Sequence, residues 1–297
     1  MADPALPANV GDIVAGEVLA AEYLMTLSDR DISVLMHPAF FHATGKPGSN
    51  VVRVPHLGYG VDILAADTPG SEHTNTAFTD GHTDVTLANQ VLMFGAHDLA
   101  RFMADGKLDP VMFAQFAAMN IGKTLINLAA NVGDGFTNIA GTTTQDATWD
   151  DVLVAKAFLG NADATGSICG LIHPQQWNDL EVDALSLGVL PAGSMQGVIT
   201  SGLESYKGRY MGIDWFTSSR VPASGGNRLG CIFTQGGIVW ADAEYANDGD
   251  PNIVNLVRGQ FERARKGTFS QTNWVIRAAL GTALGIDNAG VTFRTDE

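Results

Sequence analysis

At 297 residues, 45% apolar and 16% charged, the chain can hold one large domain or two smaller ones and carries fewer charges than a typical soluble protein. Its 32 acidic residues outnumber 17 basic ones, for a net charge of −15, and no segment gathers the lysines and arginines that phosphate neutralisation requires, which disfavours direct nucleic-acid recognition. Two cysteines make no disulfide framework, Met1-Ala2-Asp3-Pro4 does not open a signal peptide, and no apolar run nears the roughly 20 residues of a membrane span, so the expectation is a soluble cytosolic chain with Cys169 and Cys231 as buried free thiols.

Val10, Val14, Val18, Ala21 and Met25 recur at steps of four and three and predict a helix over residues 9–28, weakened by Gly11 and Gly16. Residues 29–48 read as irregular and end in the turn-rich Thr44-Gly45-Lys46-Pro47-Gly48. Residues 1–48 contain no core of their own and read as an arm. A strand is expected over 50–57, with Pro55 at an edge, and a second over 84–93, with Val85, Leu87, Val91 and Met93 on one face. The polar stretch between them, around Asp67–Glu72, is long enough to be either functional or disordered.

Asp109 as N-cap and Pro110 at the first helical position open the strongest helix, 109–132. Asn120, Thr124, Asn127 and Asn131 form a polar line along an otherwise apolar rod of roughly 35 Å. Further on, the pattern predicts a helix over 148–160, a strand over 167–173, and a helix opened by Pro174 with Trp177, Leu180, Ala184 and Leu187 on one face. A strand is expected over 209–217, and a hairpin over 229–241 turning at Gln235-Gly236-Gly237. Residues 251–297 read as mostly β, with strands near 257–265, 272–279 and 289–294.

The search for chemistry finds four candidates. Ala117-x-x-x-x-Gly122-Lys123-Thr124 nearly fits a phosphate-binding loop, but that loop must follow a strand and be glycine-rich, and this stretch lies inside the strongest helix. Cys169 and His173 are four apart, so on a strand they share a face as a conceivable nucleophile and base; Pro174 and the helix behind it favour a structural histidine. Histidines 37, 42, 56, 73, 82, 97 and 173 have no zinc-ligand spacing. The carboxylates Asp150-Asp151 and Asp179, Glu181 and Asp183 read as solvated helix faces, with the first two placed where a helix dipole favours acids. Neither Gly-x-Ser-x-Gly nor His-Glu-x-x-His occurs. No catalytic, cofactor-binding or metal-binding residue is assigned.

Three stretches carry a resemblance: Gly170-Leu171-Ile172-His173-Pro174-Gln175-Gln176-Trp177-Asn178-Asp179-Leu180, then Gly212 through Ser218-Ser219-Arg220-Val221-Pro222, then Ile232-Phe233 through Gly237-Ile238-Val239-Trp240. In order and spacing the chain resembles the major capsid proteins of tailed bacteriophages, whose α+β fold is shared with encapsulin and herpesvirus shells. The resemblance implies an N-terminal arm (1–48), an extended β-hairpin loop (49–95), a peripheral domain with a long spine helix (96–144), an inserted axial domain (145–240) and a return to the peripheral domain (241–297). It implies a non-enzymatic subunit without cofactors, self-assembling as hexamers and pentamers into the icosahedral head that encloses double-stranded DNA, built in the host cytoplasm and resident in the virion. A separate scaffolding protein and a portal are its expected partners, the scaffold because only about 48 residues precede the first predicted strand, unless the arm itself does that work; the presence of a decoration protein stays open. Residues 49–98 contain no lysine, so covalent stapling of the kind one branch of the family uses through that loop is not expected. Two other readings stay open: an encapsulin-like compartment, and a soluble α+β hydrolase using Cys169 and His173.

Overall fold

The computed structural model describes residues 34–35, 37–46, 49–57, 80–97, 110–164, 166–186, 206–224, 226–243, 245, 253–256, 259–266 and 271–296. The helix expected over 9–28, Asp109, and the polar loop around Asp67–Glu72 lie outside these residues. The elements are β1 (Phe40–Gly45), β2 (Val51–Leu57), β3 (Asp80–Thr86), β4 (Ala88–His97), α1 (Pro110–Gly133), β5 (Ile139–Ala140), α2 (Trp149–Asn161), β6 (Ile168–Ile172) and α3 (Pro174–Ser186). There follow β7 (Tyr206–Tyr210), β8 (Ile213–Thr217), β9 (Ala223–Ser224), β10 (Asn227–Phe233), β11 (Ile238–Ala243), β12 (Ile253–Leu256), β13 (Gly259–Lys266), β14 (Gln271–Leu284) and β15 (Gly290–Asp296).

Two large sheets organise the chain. The six-stranded sheet is built on β14: β4 pairs along its residues 271–280, while β13 and β11 follow each other along its other side. β1 adds parallel to β11 and β12 adds to β13. The seven-stranded sheet runs β5-β15-β10-β6-β8-β7, with β9 on β10. β2 and β3 form a separate antiparallel ribbon in register Val51↔Thr86 to Leu57↔Asp80.

Each sheet buries its faces by the alternation of its strands. On the six-stranded sheet, Phe40, Ile238, Trp240, Ile276, Ala278 and Leu280 meet Ile121, Leu125, Ile126, Ala129 and Ala130 of α1. The opposite face, at Val239 and Ala241, is covered by Val54 and Val85 of the ribbon. On the seven-stranded sheet, Ile172, Ile213, Trp215, Ile232, Val291 and Phe293 meet Trp149, Val152, Leu159, Trp177 and Leu180 of α2 and α3. Its other face, with Cys169, Leu171, Phe216, Cys231 and Phe233, joins the α1 core. The helix is therefore packed against both sheets, and the core around it joins them.

Four expectations from the sequence are corrected. Residues 40–45, read as irregular, form β1, because His42 stacks on Trp240 at 3.9 Å and its Nε2 bonds Asp242 at 3.0 Å, partners 200 residues away. The strand expected over 84–93 breaks at Leu87: β3 joins the ribbon and β4 the six-stranded sheet. The strand over 209–217 is a hairpin, turned by Met211 (φ 54°) and Gly212 (φ 80°), the two left-handed residues of a tight turn.

The largest correction concerns 229–241. Its two strands exist, but they are not a hairpin: β10 pairs with β15 and β6, and β11 with β1 and β14. The glycine turn carries the chain from one sheet to the other. The link from β14 to β15 returns beside it, and the two links bond one another: Gly285 N–H to Gly237 O at 2.9 Å, Ile286 N–H to Gly236 O at 2.9 Å, and Thr234 N–H to Ala289 O at 2.8 Å. Gly285 has no room for a side chain, because a Cβ there would collide with the Gly236 carbonyl oxygen.

Gly285→Ala is expected to cost roughly 1–3 kcal/mol, since the obstructing atom is backbone and cannot swing aside. Gly160→Ala, at a helical glycine with open space around it, is expected to be neutral or to stabilise by about 0.5–1 kcal/mol. Denaturant midpoints of the two variants, read side by side, check both values.

Candidate functional site

The residues with chemical potential in the sequence turn out to be held in structural roles. Ala117 through Thr124 lie within α1, where the Thr124 hydroxyl donates to Asn120 O at 2.9 Å. The backbone N–H groups there serve the helix, so no phosphate cradle exists.

Cys169 sits on β6 with no exposed surface. Burial pushes its thiol well above the ordinary range, with the charges of Cys231 and Asp214 adding to the effect. Burial likewise pushes the Cys231 thiol up to about 12. An attacking thiolate needs the opposite environment. His173 caps α3: its Nδ1 accepts the Gln175 N–H at 3.1 Å, and its own N–H donates to Gln176 Oε1 at 2.9 Å. This is a variant of the capping box, in which the histidine ring takes the second helical N–H and the third residue's side chain reaches back to the cap N–H. It accounts physically for His-Pro-Gln-Gln: histidine as cap, Pro174 at the first position, and Gln176 as the returning acceptor. Gln176 is fully buried, and its amide group also donates to Phe293 O at 3.2 Å and Thr295 Oγ1 at 3.0 Å. Gly170 in the same stretch leaves space for Trp215, whose Cε3 would lie 2.6 Å from a Cβ there. Trp215 centres a cluster with Trp149 and Trp177, at 6.1 and 6.0 Å between rings.

The carboxylates read as a solvated face are mostly local acceptors. Asp151 closes a capping box with Thr148 at the start of α2. Asp183 accepts the Trp149 N–H at 2.9 Å, and Glu181 the Trp177 indole N–H at 2.7 Å. Asp150 is exposed, as expected.

Two histidines that the sequence left scattered are fasteners. His37 Nδ1 accepts the Ala39 N–H, so its Nε2 carries the proton donated to Asp214 Oδ2 at 3.0 Å. This bond ties the segment holding buried Val34 and Leu35 to β8. His42 holds β1 as described above. Their partners are 177 and 200 residues away, beyond any spacing rule. His56 lies over Gly81 of the facing strand, and His82 is on the ribbon's outer side beside Asp84. His73 lies outside the described residues. Among the described residues no group of three metal-ligating side chains occurs, and no helix is long and apolar enough to cross a membrane.

The features left unspent are surfaces. Val91 and Met93 stand 54% and 60% exposed on β4, on the sheet face away from α1. Leu153 and Val154 on α2, and Val182 and Leu185 on α3, also face solvent, each close to half exposed or more. On the ribbon, Arg53 grips Asp84 through Nε at 2.8 Å and Nη2 at 3.0 Å. That hydrogen bond holds the Asp84 carboxyl below its usual value, so what the pair contributes is present above the ordinary carboxylate range and fades as pH falls. Fully exposed pairs of this kind contribute little.

No protein-family model and no curated protein matches the chain. Solved structures do. The capsid of Ralstonia phage GP4 aligns with a TM-score of 0.58 at 8% identity, over 88% of this chain and 90% of that one. The SrpI encapsulin of Synechococcus elongatus aligns with a TM-score of 0.58 at 14% identity, over 86% and 85%. A virus-like particle from Pyrococcus furiosus aligns with a TM-score of 0.56 at 13% identity, over 93% and 98%. The chain thus has the α+β fold of phage-capsid and encapsulin subunits over nearly its whole length, as the resemblance in its sequence implied.

Both thiols are expected to resist a thiol-reactive probe in the native protein and to react only as the chain unfolds. Labelling followed by mass spectrometry, with and without denaturant, checks this; rapid native modification of Cys169 would restore the hydrolase reading.

Proposed function

We propose that this chain is the major subunit of a closed protein shell, the icosahedral head of a tailed phage enclosing double-stranded DNA. The observation that carries the reading is full-length likeness to shell subunits at both ends of the alignment, combined with apolar side chains left on sheet and helix surfaces. An acidic subunit suits a wall around DNA that must not adhere to it. Hexamers and pentamers would each join through several interfaces of about 1,600 Å², and weak contacts would sum through lattice multiplicity.

In this reading residues 1–48 are the arm, 49–95 the extended loop, 96–144 the spine-helix part of the peripheral domain, 145–240 the axial domain and 241–297 the return. Assembly takes place in the host cytoplasm with a separate scaffold and a portal, and the product resides in the virion. The subunit has no catalytic role. The second reading is an encapsulin-like compartment, favoured by the likeness to the SrpI encapsulin over 86% of this chain and 85% of that one. The contents of the particle separate the two: nuclease-resistant DNA in one case, enclosed protein in the other.

Expressed with its partner proteins, the chain is expected to form closed particles or capsomer rings in negative stain; a stable monomer under all conditions overturns the proposal. Because residues 49–98 hold no lysine, the same particles are expected to run as single subunits on denaturing gels, without a ladder.

A further inference from the structure

The stretch that leads into β1 touches both sheets. Val34 and Leu35 are buried in the core around α1. His37 then donates through Nε2 to Asp214 Oδ2 of β8 at 3.0 Å, and the other oxygen of that carboxylate accepts the Tyr206 hydroxyl of β7 at 3.2 Å. The imidazole also stands edge-on to Phe216, with 5.8 Å between rings. Phe40 opens β1 with its ring edge-on to Phe233 at 4.8 Å. Phe233 ends β10, directly before the link that leaves the seven-stranded sheet. β1 itself belongs to the six-stranded sheet, where His42 meets Trp240 and Asp242. One short passage of chain therefore bridges β8 in one sheet and β11 in the other.

We propose that this passage is a brace that fixes the angle between the two sheets, with the hydrogen bond from His37 to Asp214 as its lock. The two links of the crossing, Thr234–Gly237 and Gly285–Ala289, lie side by side. Two adjacent links set an axis, and rotation about it is then resisted by packing on α1. Gly236, at φ 86°, and its neighbours Gly237 and Gly285 bring no Cβ to stiffen the backbone there. Fixing the angle takes an attachment away from that axis. Asp214 supplies one: it pairs laterally with Cys169, which pairs with Phe233, so it stands two strands, about 10 Å, to the side of the crossing. His42 supplies the counterpart on β1, one strand beyond β11. The lock is a single bond, but the side chains of His37 and Asp214 are only 9% and 16% exposed, so water is a poor substitute for either partner. β1 is an edge strand, paired with β11 alone among the described residues, so the brace has no second strand to hold it in place once the lock opens. The brace belongs to the folded chain and stands whether or not the shell reading does.

Amide exchange of the full chain, read by mass spectrometry, tests it. His37→Phe keeps a ring against Phe216 and removes the donor to Asp214. Peptides spanning 34–45 are expected to exchange roughly ten- to a hundredfold faster in this variant, the range for a hydrogen bond to a charged group. Peptides spanning 234–237 and 285–289 are expected to accelerate with them, while peptides from α3 keep the wild-type rate. His37→Gln, whose amide nitrogen stands where the imidazole Nε2 does, should return both regions toward the wild type. Acceleration confined to 34–45 overturns the brace, because the bond is then a local fastener only. An unchanged rate in 34–45, or an equal rise in α3, overturns it as well. The wild type supplies a second measurement that holds even where the variant folds poorly. In mild denaturant, 34–45 and the two links are expected to open together and before α3; separate openings overturn the proposal.

Discussion

Two chain passages lying side by side decide how this molecule is joined. Thr234–Gly237 leaves the seven-stranded sheet and Gly285–Ala289 returns to it, bonded backbone to backbone. Three such bonds contribute only about 0.5–1.5 kcal/mol each. The core they align contributes far more, since each large apolar side chain adds roughly 1.5–3 kcal/mol when fully buried. Burial supplies the stability, and the crossing supplies the register. It brings β15 beside β10 and β14 beside β11, and it sets both sheets against the C-terminal half of α1. The end of that helix is locked from β15, where the Thr292 hydroxyl donates to Gly133 O at 3.0 Å and Phe136 packs over Gly290.

The polar residues follow from the same need to satisfy backbone groups. A short helix laid on a sheet leaves its first N–H groups unpaired. In α2 and α3 they are met by Thr148, Asp151, Asp183, His173 and Gln176. What resembles a set of catalytic candidates is therefore mostly capping chemistry. Cys169 stays buried on the sheet's other face, in the α1 core, in an environment that keeps its proton on. This arrangement leaves little inside the molecule for chemistry and directs attention to its surfaces.

Those surfaces are uneven. The ribbon covers one part of the outer face of the six-stranded sheet with valines, and β4 leaves Val91 and Met93 open on the same side. Low charge, exposed aliphatic residues on α2, α3 and β4, and a fold shared with shell subunits are the features on which the proposed shell role rests.

The sequence by itself determined the local elements wherever the period and the punctuation agreed. Asp-Pro and an apolar rod marked α1, and His-Pro-Gln-Gln followed by Trp177 and Leu180 marked α3. The alternation near Ile168–Ile172 and Gly290–Asp296 marked strands that the sheets contain. The order of these elements was enough to indicate the fold. Tertiary structure alone decided which strands pair. Gln235-Gly236-Gly237 reads as the same turn whether its strands fold back on each other or part to different sheets, because the choice rests with β1, β6, β14 and β15, distant in sequence. It also decided β1, which Trp240 and Asp242 hold through His42. Periodicity reports a residue's neighbours along the chain, whereas pairing depends on neighbours across it.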